Sequence, residues 1–172
     1  MNILHDISDD RIKPDEFVAV IEIPTGTKVK YEIDKETGLL MLDRIPPTGM
    51  RNPMNYGFIP RTHCEDGDAL DVYVVTAETL EPMSLVVCKP VGLMRMIDNG
   101  EADEKIIAVP VKDPNNDLPK NIVAEIYHQQ QYLKAHNPKN KVELSPLEGV
   151  ESAKKMISEA KALYKKTFGG KK

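Results

Sequence analysis

The stretch SLVVCKPVGLMRMIDNGEADEKIIAVPV, residues 84–111, decides the fold class of this chain. Residues 84–97 are rich in apolar and β-branched side chains, which predicts one long strand, and residues 104–111 predict the strand that returns beside it. Between them, Asn99 and Gly100 form a dipeptide that two-residue hairpin turns prefer, because both central positions need a positive φ. The stretch therefore predicts a β-hairpin.

The charged residues of this hairpin are predicted to share one face. A two-residue turn places Asp98 opposite Glu101, and alternation along the returning strand then brings Asp103 and Lys105 to the same face. A longer loop would give a different pairing. With the short turn, the carboxylates of Asp98 and Asp103 and one ammonium group lie on a single patch.

Further strands and two helices extend this pattern along the chain. Gly and Pro residues separate the other predicted strands, which cover residues 17–23, 28–33, 39–43 and 69–75. Amphipathic patterns predict one helix that begins near Asp117 and a second that follows Val150, and we interpret both stripes, Gln129 included, as core-facing without chemistry. Many short strands favour a closed barrel over an open sheet. We expect one domain over residues 1–172, a mainly β (α+β) barrel with two packed helices.

The composition excludes several classes of protein. Hydrophobic residues make up 41% and charged residues 29%, values typical of a globular chain. No run of about 18 apolar residues is present to span a membrane, and the first residues, MNILHDISDD, lack the basic and apolar regions of a secretory signal. Cys64 and Cys88 have no CxxC partner, which fits reduced thiols. We therefore expect a cytoplasmic location.

A second acidic group lies at DGDALD, residues 66–71. Asp66 and Asp68 flank a glycine in a turn, and Asp71 follows at the start of a strand. The group is not an EF-hand loop, because positions six and twelve of that pattern would be Asp71 and Ala77 instead of Gly and an acid. Asp-Gly-Asp alone is usually a solvated turn. Together with the acids of the hairpin, however, it predicts a site for hard divalent cations, which prefer carboxylate oxygens.

Charged side chains elsewhere in the β region add cations to this set. Lys30 and Glu32 are two residues apart on one predicted strand and so share a face. Glu22 is either a buried structural carboxylate or a functional one, and Tyr56 either packs in the core or directs its phenol at an anion. With Arg44 nearby in the sequence, the pattern combines carboxylate-held metals with cationic side chains, which is what phosphoryl-transfer chemistry needs.

These motifs together resemble the soluble inorganic pyrophosphatases of the bacterial, magnesium-dependent type (family I). The motifs that match are Glu22 in IEIP, Lys30-Tyr31-Glu32, Asp43-Arg44, PMNYGFIP at 53–60, DGDALD at 66–71 and the acids and lysine of 98–105. The resemblance is strong from about Glu22 to Pro110 and weaker beyond. It implies a five-stranded oligonucleotide-binding (OB) type barrel with two flanking helices. It also implies a cytoplasmic homohexamer that hydrolyses pyrophosphate to two orthophosphates by a metal-activated water.

The resemblance also implies a role for each candidate residue. Asp68 would be the general base that takes the water proton. The metal ligands, for three or four Mg²⁺ ions with Mn²⁺ or Zn²⁺ as substitutes, would be Asp66, Asp71, Asp98, Asp103 and Glu32. The phosphates would be held by Lys30, Arg44, Tyr56, Lys105 and Lys134. Glu22 would be a carboxylate behind the metal ligands.

Two positions depart from the family pattern. Leu133-Lys134 stands where the family usually has Tyr-Lys, and Tyr132 is rotated by about 100° on a helix and cannot replace that phenol. A lost hydrogen bond to a charged phosphate costs about 1.5–3 kcal/mol, so weaker substrate binding than usual is expected. Asn52 stands where an aromatic residue commonly precedes Pro53.

Two other functions remain open at this point. One is an OB-type module that binds nucleotides or nucleic acid without catalysis, although a sequence pI of about 5.6 and the absence of Trp disfavour a basic, base-stacking groove. We therefore expect neither a nucleic acid nor a membrane as partner. The other is hydrolysis of a longer polyphosphate at the same site.

Overall fold

A computed structural model describes residues 2–47, 49–98, 100–115, 121–135 and 142–169, without the side chains of 98, 133–135, 142 and 144. The strands are β1 (Phe17–Ile23), β2 (Lys30–Ile33), β3 (Leu40–Arg44), β4 (Asn55–Ile59), β5 (Leu70–Val74), β6 (Leu85–Met94), β7 (Met96–Asp98), β8 (Glu101–Ala102), β9 (Lys105–Pro110) and β10 (Val142–Leu144). The helices are a 3₁₀ turn (Asp9–Arg11), α1 (Ile122–Ala135) and α2 (Val150–Phe168).

In the described ranges, five strands close a barrel in the order β1-β4-β5-β9-β6. β5 and β9 pair in parallel, and the other barrel pairs are antiparallel. This is the OB-type barrel with two flanking helices that the sequence and the resemblance predict. Successive side chains of β5 point to opposite faces, so the strand packs against both helices. Val72 belongs to the hydrophobic cluster that includes Ile157 of α2, and Tyr73 belongs to the cluster that includes Ile126 of α1.

Two of the predicted strands do not belong to the barrel. The strands predicted over 28–33 and 39–43 form a separate two-stranded sheet, β2-β3, beside it. The barrel strand that the sequence analysis missed is β4, which contains Gly57. A Cβ at Gly57 would lie 1.8 Å from the Val20 carbonyl oxygen, so the glycine permits β1 and β4 to approach closely.

The hairpin of residues 84–111 has the predicted register, but its first strand is interrupted. The strand predicted over 84–97 breaks at Arg95, after which β7 leaves the barrel and pairs with β8 and β10. Asp98 lies opposite Glu101, as the two-residue turn predicts. The hairpin thus carries its acids beyond the barrel wall and returns through β9.

Both predicted helices are present in the structure. The predicted start of α1 near Asp117 lies outside the described residues. On α2, the predicted stripe buries Ala153, Ile157, Ala160 and Tyr164, whereas Val150 is 37% exposed because it begins the helix at the surface. Among the helices that the structure describes, none has the length and apolar character needed to cross a membrane.

Candidate active site

A cleft of about 870 Å³ lies between the barrel and the β2-β3 sheet. Its walls include nearly all of the side chains predicted for the site, namely Glu22, Lys30, Glu32, Arg44, Tyr56, Asp66, Asp68, Asp71, Asp103 and Lys105. The side chains of Asp98 and Lys134 lie outside the described part of the structure. The fold therefore gathers residues that are up to 83 positions apart, Glu22 to Lys105, in one place.

Lys105 lies at the centre of the acidic wall. Parallel pairing of β5 with β9 places it beside Asp71, and its Nζ is 2.7 Å from Asp71 Oδ2 and 2.8 Å from Asp103 Oδ1. Only 4% of the residue is exposed. Burial would lower the pKa of this ammonium, but the carboxylates of Asp71 and Asp103 raise it well above its ordinary value, so Lys105 stays charged.

Tyr56 lies between the ring of Tyr73 and the charged cluster around Lys105. Its ring lies edge-on against Tyr73, with ring centroids 5.0 Å apart. Its hydroxyl donates to Asp71 Oδ2 and accepts from Lys105 Nζ at 3.1 Å. Burial raises the pKa of the Asp71 carboxyl even though Lys105 opposes the shift. Tyr56 is thus packed on one side and bound to the charged cluster on the other.

The Asp66 turn is fixed mainly by its own backbone. The Asp68 N–H donates to Asp66 Oδ1 at 2.9 Å, and the Cys64 N–H donates to the Asp68 carbonyl at 2.8 Å. Gly67 has a φ of +87°, a conformation that glycine adopts without strain. Lys35 approaches from the β2-β3 turn, where its Nζ contacts the Asp68 carboxylate and donates to the Gly67 carbonyl at 3.2 Å.

The opposite wall of the cleft carries the cations Lys30 and Arg44, which both contact carboxylates. Strand pairing places Lys30 beside Arg44. Lys30 Nζ contacts Glu32 and lies 3.1 Å from Asp43 Oδ2, and Arg44 Nη1 lies 3.4 Å from the same oxygen. The prediction that Lys30 and Glu32 share a face is confirmed. Burial lowers the pKa of Lys30, but Glu32 and Asp43 raise it, so Lys30 stays protonated.

Glu22 lies behind the acids with 7% of its surface exposed. Its Oε1 accepts the Ile33 N–H at 2.9 Å. Burial, with repulsion from Asp71 next in importance, raises the pKa of Glu22 to about 8. In this arrangement Glu22 is mostly protonated at neutral pH.

The donor chemistry of the acidic wall fits a hard divalent cation. Within the described residues no three ligand side chains already converge on one point. Instead, Lys105 lies between Asp71 and Asp103. Burial raises the pKa of both Asp66 and Asp71, so additional positive charge would stabilise their ionised forms. Carboxylate oxygens are the ligands that Mg²⁺ prefers.

The cleft also contains residues that the sequence analysis missed or misjudged. These are Lys35, Asn52, Tyr73, Gln129 and Gln130. Gln129 lies on the stripe predicted to face the core without chemistry. It is 5% exposed, which confirms that it faces inward, and it also borders the cleft. A glutamine on a predicted buried stripe was the available signal, since a buried amide needs hydrogen-bond partners.

Comparisons with known proteins agree with this geometry. A family model described as inorganic pyrophosphatase matches residues 19–165. A soluble inorganic pyrophosphatase 2 from Chlamydomonas reinhardtii is 41% identical over 171 residues, which is 95% of this chain and 88% of the relative. An inorganic pyrophosphatase from Halalkalibacterium halodurans is 43% identical, over 90% of this chain and 98% of its own.

Solved structures give the same result. An inorganic pyrophosphatase from Helicobacter pylori superimposes with a TM-score of 0.84 at 35% identity, covering 90% of this chain and 96% of the other. An inorganic pyrophosphatase from Thermus thermophilus gives a TM-score of 0.87 at 32% identity, covering 96% and 99%. Sequence and structure therefore point to the same family over nearly the full length of these relatives.

Proposed function

Because the chain belongs to the inorganic pyrophosphatase family, we propose that it hydrolyses pyrophosphate to two orthophosphates. The observation that carries this proposal is the cleft in which Asp66, Asp71 and Asp103 face the cations Lys30 and Arg44. Pyrophosphate carries several negative charges, so its hydrolysis needs positive groups that neutralise both the attacked and the leaving phosphate. The two walls offer metal ligands and fixed cations for that purpose.

We propose Mg²⁺ as the cofactor, with Mn²⁺ or Zn²⁺ as substitutes. The residues that would hold the ions are Asp66, Asp71, Asp98, Asp103 and Glu32. A bound divalent cation lowers the pKa of its water and neutralises phosphate charge. The carboxylate-only character of this set supports the choice of a hard cation.

Asp68 is the general base in this proposal. The other acids of the wall are occupied, because Asp71 accepts from Tyr56 and Lys105, and Asp66 accepts from the Asp68 N–H. Asp68 contacts Lys35, but this pair lies at the surface, where 58% of the Asp68 side chain and 66% of the Lys35 side chain are exposed. Its carboxylate can therefore turn to accept the proton of an attacking water.

The cations hold the substrate and the leaving phosphate. Lys30 and Arg44 lie on the wall opposite the acids, and Arg44 is exposed enough to reach a bound anion. Tyr56 and Lys105 present a hydroxyl and an ammonium group from the acidic wall. We propose that Lys134 joins them. The weaker substrate binding expected from Leu133 stays a prediction, since that side chain lies outside the described part.

The remaining features of the proposal concern the whole protein. We propose one domain over residues 1–172 that assembles as a homohexamer in the cytoplasm, with neither nucleic acid nor membrane as partner. Exposed apolar side chains on β3 and at its two ends, with Met41 52%, Leu39 65% and Ile45 59% exposed, support a subunit interface. Light scattering tests the hexamer, which would have six times the 19.3 kDa chain mass.

The non-catalytic alternative is disfavoured because the relatives are named pyrophosphatases.

Phosphate release during a Mg²⁺ titration tests the proposed activity. We expect phosphate release from pyrophosphate that rises with Mg²⁺ and stops in EDTA, and slower release from tripolyphosphate. Equal or faster hydrolysis of tripolyphosphate would favour the longer substrate instead. Absence of phosphate release at every Mg²⁺ concentration, together with salt-sensitive binding of single-stranded DNA, would favour the non-catalytic module.

A further inference from the structure

Asn52 lies in the wall of the same cleft, on a loop whose backbone is fixed. Its N–H donates to the Thr27 carbonyl at 2.8 Å, and its own carbonyl accepts the Gly26 N–H at 2.9 Å. Pro53 follows it and restricts its backbone further. The side chain of Asn52 therefore starts from a position that the loop defines.

A directional chain of hydrogen bonds orients the Asn52 amide. Gln130 Nε2 donates to the Tyr73 hydroxyl oxygen at 2.6 Å, and the Tyr73 hydroxyl donates to Gln129 Oε1 at 3.3 Å. With its oxygen used in this way, Gln129 presents Nε2 to Asn52 Oδ1 and donates to it. The two inner groups, Tyr73 and Gln129, each accept on one side and donate on the other.

The three members of this chain that precede Asn52 are buried, and its direction is the one that the described hydrogen bonds take. Gln129 is 5%, Gln130 8% and Tyr73 1% exposed. Reversing one buried amide would place donor against donor or acceptor against acceptor, and such a mismatch is costly away from water. The chain therefore ends at Asn52 with Oδ1 occupied and the two Nδ2 donors left over. Among the described residues, no hydrogen bond takes up those donors.

A donor amide in this cleft is suited to an anion. Tyr73, in the middle of the chain, packs against Tyr56, whose hydroxyl bonds to Asp71 and Lys105. Thr27 and Lys30 line the same cleft. Asn52 thus belongs to the wall that a phosphate bound by these residues would face, and a neutral donor adds a hydrogen bond without adding a titrating charge.

We propose that Asn52 binds a phosphate oxygen of the substrate through Nδ2, and that Gln129, Tyr73 and Gln130 are positioning residues that hold its amide in the donating orientation. This inference rests on the proposed function. It gives a role to the residue that stands where the family commonly has an aromatic side chain. It also places a substrate contact on the α1 side of the cleft.

Two Asn52 variants and a charge-matched control test the proposal. Asn52→Leu removes the donor, whereas Asn52→Asp keeps the acceptor for Gln129 and replaces the donor with a negative charge. The control is Asn115→Asp, which makes the same charge change on an exposed residue outside the cleft lining. The measurements are KM and kcat for pyrophosphate, and calorimetric binding of the non-hydrolysable imidodiphosphate with Mg²⁺.

We expect KM and the imidodiphosphate Kd to rise about tenfold in Asn52→Leu and about a hundredfold in Asn52→Asp, from one lost hydrogen bond to a charged group and added repulsion. The value of kcat should stay within about threefold, because the contact is made in ground and transition states alike. Gln129→Leu removes the donor that orients the Asn52 amide. It should raise KM by less than Asn52→Leu does.

Two results would overturn the inference. One is an Asn52→Asp protein that binds imidodiphosphate as tightly as Asn115→Asp does. The other is a set of variants that lose thermal stability and kcat while KM stays constant, which would mean that the chain only supports the fold. A wild type without phosphate release would instead refute the proposed function, so the two failures are distinguishable.

Discussion

Glu22 is the side chain whose protonation depends most clearly on its surroundings. It is buried next to Asp71 and Glu32, and the backbone hydrogen bond that it accepts from Ile33 does not offset the loss of water. The pKa of Glu22 is therefore raised from 4.5 to about 8. Because the folded state holds this proton more tightly than the unfolded chain does, the contribution of Glu22 to stability is fully present below pH 4.5 and is lost as the pH rises toward 8.

Glu22→Gln should remove this pH dependence. The amide imitates the protonated acid and keeps the acceptor for the Ile33 N–H. In EDTA, the free energy of unfolding of the variant should exceed that of the wild type by an amount that grows between pH 5 and pH 8, with an upper limit of about 1.4 kcal/mol per pH unit. Urea unfolding at four pH values measures the difference. A difference that is constant across this range would show that Glu22 is ionised throughout.

At the scale of elements, the contact of β1 with β4 closes the barrel beside the cleft. Gly57 pairs with Ile21 across this contact. The added Cβ of an alanine at Gly57 would meet the Val20 carbonyl oxygen at 1.8 Å, and backbone atoms cannot move aside as a flexible side chain can. Tyr56, the neighbour of Gly57, depends on this strand for its position at Asp71.

Gly57→Ala should therefore destabilise the protein by at least about 3 kcal/mol, at the upper end of overpacking effects, or prevent folding. Gly49→Ala is the matched control, because nothing lies within 4 Å of a Cβ built there. Urea unfolding of both variants measures the effect. Equal stabilities of Gly57→Ala and Gly49→Ala would contradict the close approach of the two strands.

Element by element, local rules predicted the hairpin but not the membership of the sheets. The register of Asp98 with Glu101 follows from turn chemistry alone and is confirmed. The β2-β3 strands were predicted from alternation, yet only tertiary packing decides that they form their own sheet. The pattern of NYGFI does not predict β4, because Gly57 weakens the strand signal of this segment.

For the whole molecule, the site could be predicted where its residues lie on strands and turns with clear patterns. The contact of Asp103 with Lys105 follows from period-two alternation. Asp71 joins them through the pairing of β5 with β9, which the sequence did not predict. The contribution of α1 could not be predicted, because periodicity shows that Gln129 faces inward but not that a cleft lies there. The roles of individual residues came from the resemblance, and they stay proposals.

The most direct test of the central claim, that Asp68 acts as the base in a metal-dependent pyrophosphatase site, is single-turnover cleavage of pyrophosphate at saturating Mg²⁺ by the wild type and Asp68→Asn. Calorimetry of Mg²⁺ binding to both proteins accompanies it. We expect the cleavage rate to fall by at least about a hundredfold, as for loss of a general base, while the Mg²⁺ affinity changes little. An unchanged cleavage rate in Asp68→Asn would contradict the account.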